Sequence, residues 1–178
     1  VMLISFRAGP FADEARERGI DVRVIERHNP FRAARAMRDL VDQFRPDIIH
    51  CHGGRANLMG AMVRRTRHVP VLTTVHSDYK LDYLGNPLKQ HTFGAANAVA
   101  LRFLDFYQPV ADRMARTLIE RGFDPERIVK IYNGMEFHRP EGEFDRAQYL
   151  KEHYGAEIED GDVLCGIAAR LTAVKDIA

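Results

Sequence analysis

The chain has 178 residues, 46% of them hydrophobic and 29% charged, with a formal net charge of +1. That size accommodates one full domain, or one domain and a piece of another, with a core that needs no staples. The near-neutral charge excludes a global field for nucleic acid or anionic membrane, and no run approaches the ~20 apolar residues of a membrane span.

The chain opens directly in a strand pattern, "VMLISF" (1–6), and a helical segment near 10–18 closes on Arg18-Gly19. "DVRVIE" (21–26) is the second strand, and Asn29-Pro30 opens the helix near 31–45. There Ala33, Met37, Leu40, Val41 and Phe44 form one apolar stripe, with Arg32, Arg35, Arg38 and Asp42 mostly away from it. Arg45-Pro46-Asp47 stops that helix before "DIIHCH" (47–52), and a helix over 54–67 ends in Arg64, Arg65, Arg67 and His68. "VLTTVH" (71–76) suits a strand covered on both faces. A helix near 88–102, the strand "FLDFYQPV" (103–110), a helix near 111–122 closed by Arg121-Gly122, and the strand "RIVKIY" (127–132) follow. Asn133-Gly134 is a turn signal, Met135–Glu143 a polar linker, and 143–154 a last helix before "VLCGIAA" (163–169). Cys51 and Cys165 each sit in an apolar run and read as buried, reduced thiols of a cytosolic protein. Strands alternating with helices predict an α/β fold, a Rossmann-like parallel sheet with helices on both faces. No signal peptide precedes it, and a strand pattern at Val1 together with a strand-to-helix turn at the end predict truncation at both ends.

In open parallel sheets ligands gather beyond the carboxyl ends of the strands. His52-Gly53-Gly54 follows the third strand, His76-Ser77-Asp78 the fourth, Asn133-Gly134 the sixth and Arg170 the seventh. His50 and His52 share one side of a strand, with Cys51 on the other. Two imidazoles could bind zinc, but a third ligand is not evident, and packing or loop orientation explains them as well. Gly53-Gly54 would let backbone approach an anion at a helix N-terminus, or form a plain tight turn. Adjacent His, Ser and Asp cannot form a hydrolase triad; His76 is instead a candidate for bonding substrate hydroxyls, or a capping histidine. Arg170 and Lys175 could hold a diphosphate from two sides, or be a solvated turn. The arginines of 32–45 and of 64–67 are ordinary solvated faces or a contact for anionic lipid.

The order of four pieces resembles the family 4 glycosyltransferases, whose GT-B fold faces two Rossmann-like domains across a cleft. These pieces are "RPDIIHCHGGRANLMGAMVRR", "VPVLTTVHSDY", "YQPVADRMARTLIERGFDPERIVKIYNGMEF" and "GIAARLTAVKDIA". The resemblance implies an acceptor-side domain at 1–134 lacking its first strand, a linker and helix at 135–160, and the first strand and turn of a donor-binding domain at 161–178. It implies that His76 lies beside the transferred sugar as the catalytic residue. Arg170 and Lys175 would grip the donor diphosphate, and His52, Gly53, Asp78, Asn133 and Gly134 would line the cleft. It departs from the family at Ala111, where a serine is usual and Asp112 is expected to cap the helix instead, and at Asp176, where glycine is usual.

The function so implied is sugar transfer from a nucleotide-diphosphate-sugar donor to a hydroxyl of a glycan, lipid-linked or small-molecule acceptor. Retention of configuration follows from the resemblance alone. Charge stabilisation by cations needs no metal and no cofactor. The fragment is expected to be inactive by itself, and the setting cytoplasmic, with peripheral contact to the inner membrane face through the basic helices left open. A nucleotide-sugar epimerase of the same fold, or a non-catalytic Rossmann-like binding module, are the alternatives. A nucleic-acid partner is not expected, and a dehydrogenase lacks its G-x-G-x-x-G.

Overall fold

A computed structural model describes residues 1–82, 86–137, 142, 145–159 and 161–168. The chain divides into two compact units, Val1–Asn133 and Gly134–Ala178.

The first unit alternates strands and helices. Its elements are β1 (Met2–Ser5), α1 (Pro10–Glu17), β2 (Asp21–Val24), α2 (Pro30–Phe44), β3 (Ile49–His52), α3 (Gly54–Arg67) and β4 (Val71–Val75). A short α4 (Pro87–Lys89) runs through a π-helical turn (Gln90–Gly94) into α5 (Ala95–Leu101). Then come β5 (Phe106–Pro109), α6 (Asp112–Glu120) and a 3-10 turn (Pro125–Arg127). Every strand pair is parallel, as the alternation requires. The strands form two sheets, β1-β2 and β3-β4-β5, where the sequence suggested one. Both rest on the same helical layer. Ile4 of β1 and Ile49 of β3 pack against a cluster of Ala33, Met37, Val41, Met59 and Val63 from α2 and α3, so the sheets share a core without sharing a ladder.

The strand expected at 127–132 is reduced to an extended segment beside β5. Val129 N donates to Tyr107 O at 2.9 Å and Ile131 N to Pro109 O at 3.1 Å, but the pairing amounts to a single bridge between Tyr107 and Ile128. Pro109 has no N–H to return a bond, and the ladder stops there. The strand expected at 103–110 likewise shortens to β5, because Arg102, Phe103 and Leu104 N–H groups finish the turn of α5.

Local chemistry sets the helix ends. Asn29 accepts from Phe31 N at 2.9 Å and Arg32 N at 3.1 Å, with Pro30 in the first turn of α2. The α2 stripe buries Ala33, Ala34, Met37 and Val41; Leu40 is partly buried, and Phe44, placed in the stripe by its spacing, is exposed at the helix end. Asp112 does not cap α6. Ala111 occupies the cap position without a side-chain bond, while the Asp112 carboxylate takes Lys130 Nζ and the Tyr132 hydroxyl, the latter at 2.7 Å. No turn forms at Asn133-Gly134, and Gly134 does not take a positive φ.

A second cluster lies on β3, β4 and β5, where Cys51, Val71, Val75, Leu101, Leu104, Tyr107, Leu118 and Phe123 are buried. Asp105 ties this cluster to α3. It accepts Arg64 Nε at 2.6 Å and Nη2 at 2.5 Å, and also Val71 N at 2.9 Å. In the second unit, α7 (Arg146–Tyr154) is capped by Asp145, which accepts from Gln148 N at 2.9 Å, and closes on Gly155 at φ 66°. Cys165, expected to be buried in a strand, is exposed, and residues 163–168 form no regular element. A buried thiol needs a packed run around it, and this run forms no regular element among the described residues.

Candidate active site

The parallel register sets His52 opposite Thr74, so the ends of β3 and β4 lie side by side. Alternation on β3 buries Cys51 and leaves His50 and His52 on the opposite, open face. Three imidazoles then line one edge. His52 Nδ1 and His76 Nε2 are 3.2 Å apart, the rings of His50 and His52 are 4.5 Å apart, and His50 Nε2 meets Thr74 Oγ1 at 2.7 Å. Burial, then the neighbouring imidazoles, pushes the His50 and His52 pKa values below the ordinary histidine value. The His52–His76 bond needs one donor ring and one acceptor ring, which a neutral pair supplies. His76 itself is exposed, and its Nδ1 has no partner among the described residues.

The loop after β3 turns through Gly53 at φ 83°, a left-handed value that glycine takes without strain. Gly53 then caps α3, and no side chain bonds the first N–H groups of that helix. Behind this start lies a buried polar chain. Thr73 Oγ1 donates to Asn57 Oδ1 at 2.6 Å, and Asn57 Nδ2 donates to Asn97 Oδ1 at 3.0 Å. A cavity of about 60 Å³ opens between Gly53, Gly54, His76, Ser77 and Asn97. The Cys51 thiol, on the opposite face of β3 from His50 and His52, is pushed up to about 12 by burial.

Sequence reasoning missed Asn57 and Asn97. Their one signal was asparagine inside a helix, where it is disfavoured without a packing or bonding reason. Of the candidates the sequence singled out, His52, Gly53 and His76 lie close together in the structure. Asp78 is committed elsewhere: its two oxygens each accept an Arg121 guanidinium nitrogen at 2.6 Å, and Oδ1 also takes Lys80 N at 2.9 Å. The hydrogen bonds from Arg121 hold its carboxyl below the usual range. Ser77 donates to Asp82 at 2.5 Å, so the three adjacent residues at 76–78 form no triad. Asn133 is exposed and makes no polar contact among the described residues; Gly134 is exposed and opens the second unit. Arg170 and Lys175 lie outside the described residues.

Much of the basic character near α3 is spent internally. Arg64 pairs with Asp105 and Arg67 with Asp42. Among the described residues no group of three or more side chains is arranged to hold a metal ion, and no helix is long and apolar enough to cross a membrane.

Solved structures share this fold. The structure of HepE from Anabaena in complex with UDP-glucose superposes with a TM-score of 0.60 at 17% identity, over 76% of this chain and 36% of that one. The UDP-GlcNAc 2-epimerase from Neisseria meningitidis bound to UDP-GlcNAc gives 0.51 at 10% identity, over 65% and 33%. The chain therefore spans about a third of the length of the solved structures it matches. No curated protein matches it in sequence. The α/β, Rossmann-like fold expected from the sequence is thus present. The family profile of the glycosyl transferase 4-like domain matches residues 1–134, and the chain belongs to that family.

Proposed function

We propose that this chain is the acceptor-side part of an enzyme that moves a sugar from a nucleotide-diphosphate-sugar donor to an acceptor hydroxyl. The observation that supports it is His76, exposed at the mouth of β4 and held by His52 in a domain of glycosyl transferase 4-like type. The bond at Nε2 orients the ring and leaves Nδ1 for a hydroxyl of the transferred sugar. Arg170 and Lys175 would grip the donor diphosphate and offset the negative charge that develops on the leaving group, a purely electrostatic role. Transfer would proceed with retention and without a metal. Closure of the second domain would exclude water from the reacting centre. UDP-sugars are the first donors to test, since HepE was solved with UDP-glucose. A basic face on α2, with Arg32 and Arg35 exposed, leaves room for peripheral membrane contact.

An epimerase is the second reading, supported by a shared fold with a nucleotide-sugar epimerase. Incubating the full-length enzyme with UDP-sugars and acceptors separates the two. Release of UDP with a glycosylated product is expected, whereas an isomerised UDP-sugar without transfer would favour epimerisation. His76→Ala should cut turnover by a factor of at least 100 with the fold intact, on the usual scale for a positioned polar catalyst. Wild-type turnover in that variant would reduce His76 to a structural residue.

A further inference from the structure

We infer that His52 is a positioning residue for His76 and that His50, tied to Thr74, backs it, so that the row of three rings at the ends of β3 and β4 holds His76 in one orientation and one tautomer. The inference rests on the reading of His76 as the residue beside the transferred sugar. It gives the two histidines of β3 a part in the reaction without contact to either substrate.

Strand register builds the row. His50 stands opposite Leu72 and His52 opposite Thr74, and the two histidines share the face opposite Cys51. Thr74 is 6% exposed, and its Oγ1 lies 2.7 Å from His50 Nε2. The His50 ring so anchored lies against that of His52, with centroids 4.5 Å apart and planes tilted by 31°. His52 in turn presents Nδ1 to His76 Nε2 at 3.2 Å. His52 is the last residue of β3, and His76 is the first beyond β4. Both partners of that bond therefore leave backbone that the ladder already fixes.

A single bond would hold His76 loosely. His52 and His76 are both exposed, and a hydrogen bond contributes only ~0.5–1.5 kcal/mol net. Ordering a free His52 ring would consume part of that. Contact with His50, itself held by a nearly buried hydroxyl, restricts the His52 ring beforehand. The bond also has one hydrogen for two nitrogens. If His52 Nδ1 bears it, His76 carries its own hydrogen on Nδ1; if His76 Nε2 bears it, His76 Nδ1 is bare. Either way the nitrogen left for a sugar hydroxyl has one set character. Burial, and then the neighbouring rings, keep His50 and His52 below the ordinary histidine value, so both are neutral near pH 7 and no like charges push the row apart.

Two measurements test the inference. NMR of the histidine ring nitrogens in the isotopically labelled chain at pH 8 reads the tautomer of His76: a single form is expected in the wild type and a mixture in His52→Ala. The second is turnover of the full-length enzyme on the UDP-sugar it accepts. His52→Ala should lower kcat by ~10–100-fold, the range for a misplaced catalytic group, with the donor KM within about twofold of wild type. His52→Asn, whose amide places a donor or acceptor where Nδ1 stood, should restore most of the rate. His50→Ala should lose rate in the same pattern, more weakly. The double variant His52→Ala/His76→Ala should be no slower than His76→Ala alone, because a residue acting through another has nothing left to act on.

A single His76 tautomer retained in His52→Ala, or a loss that His52→Asn does not relieve, would overturn the positioning role. Losses that multiply in the double variant would overturn it too and return His52 to direct substrate contact. Wild-type turnover in His50→Ala would overturn the backing role of His50. Normal turnover in His76→Ala, beside the expected change of tautomer, would strike the catalytic reading of His76 and leave the positioning intact.

Discussion

Removing the Arg121 guanidinium separates a structural Asp78 from a ligand-binding one. The two side chains are 20% and 21% exposed and share two bonds of 2.6 Å, and Arg121 also sits 4.8 Å over the Tyr79 ring. A solvent-exposed pair contributes ~0.2–1 kcal/mol. Breaking a fully buried one by deleting a partner costs ~3–5 kcal/mol, because the other charge is stranded. At one-fifth exposure the loss falls between these limits, about 2 kcal/mol, with up to ~1 kcal/mol more from the lost aromatic contact. Arg121→Ala should therefore lower the melting temperature by about 5–10 °C for a chain of this size. Asp78→Asn in the same background should restore part of the loss, since it removes the stranded charge while its oxygen can still accept from Lys80 N. The sign with pH follows from the Arg121 bonds, which hold the Asp78 carboxyl below its ordinary value. Its stabilisation is fully present above the unfolded carboxylate pKa, about 3.9, and is lost as pH falls through the lower folded value. Thermal melts of wild type and Arg121→Ala at pH 7, 5, 4 and 3 should differ most at the first two and draw together as pH falls below 4. Melts that coincide at pH 7, or an Asp78→Asn variant of unchanged stability that loses donor or acceptor binding, would refute the structural assignment.

Two further outcomes test the packing and the histidine edge. Gly60→Ala gains ~1 kcal/mol of helix propensity, but the new β-carbon would lie 2.7 Å from Cys51 Sγ and 3.0 Å from Val71 Cγ1; overpacking costs ~1–3 kcal/mol, so urea unfolding should show a net loss near 1 kcal/mol that Cys51→Ala partly relieves. Burial, before the neighbouring rings, lowers the pKa of His50 and His52, so the folded chain binds fewer protons than the unfolded one below about pH 6.5; stability should fall from pH 7 to pH 5, and His50→Gln or His52→Gln should flatten that slope in melts across the range.

The order of strands and helices was legible because each has a strong local cause. Asn29-Pro30 starts α2 by capping, and glycines at 19 and 122 take positive φ just beyond helix ends. Period-two alternation put His50 and His52 on one face before any coordinates. What was not legible depended on partners distant in sequence. Pro109 looks like an ordinary strand end until a neighbour needs its missing N–H. Phe44 has the right spacing for the α2 stripe but lies where the underlying core ends. Asp78 resembles a cleft residue by its position after β4, and only the fold reveals Arg121, 43 residues away, on its carboxylate. Asn97, 40 residues from Asn57, carried no sequence signal beyond being a poor helix residue.

The polar groups of the first unit divide by whether the fold already satisfies them. Asp78, Asp105, Arg64 and Arg121 have their charged ends turned to each other, and Asp42 and Arg67 likewise. Such groups hold elements together and have little left to offer a ligand. At the edge formed by β3 and β4, His76 Nδ1 and the leading N–H groups of α3 have no side-chain partner among the described residues. They converge because β3 and β4 run parallel in register, which brings the end of one strand and the helix that follows it beside the end of the other.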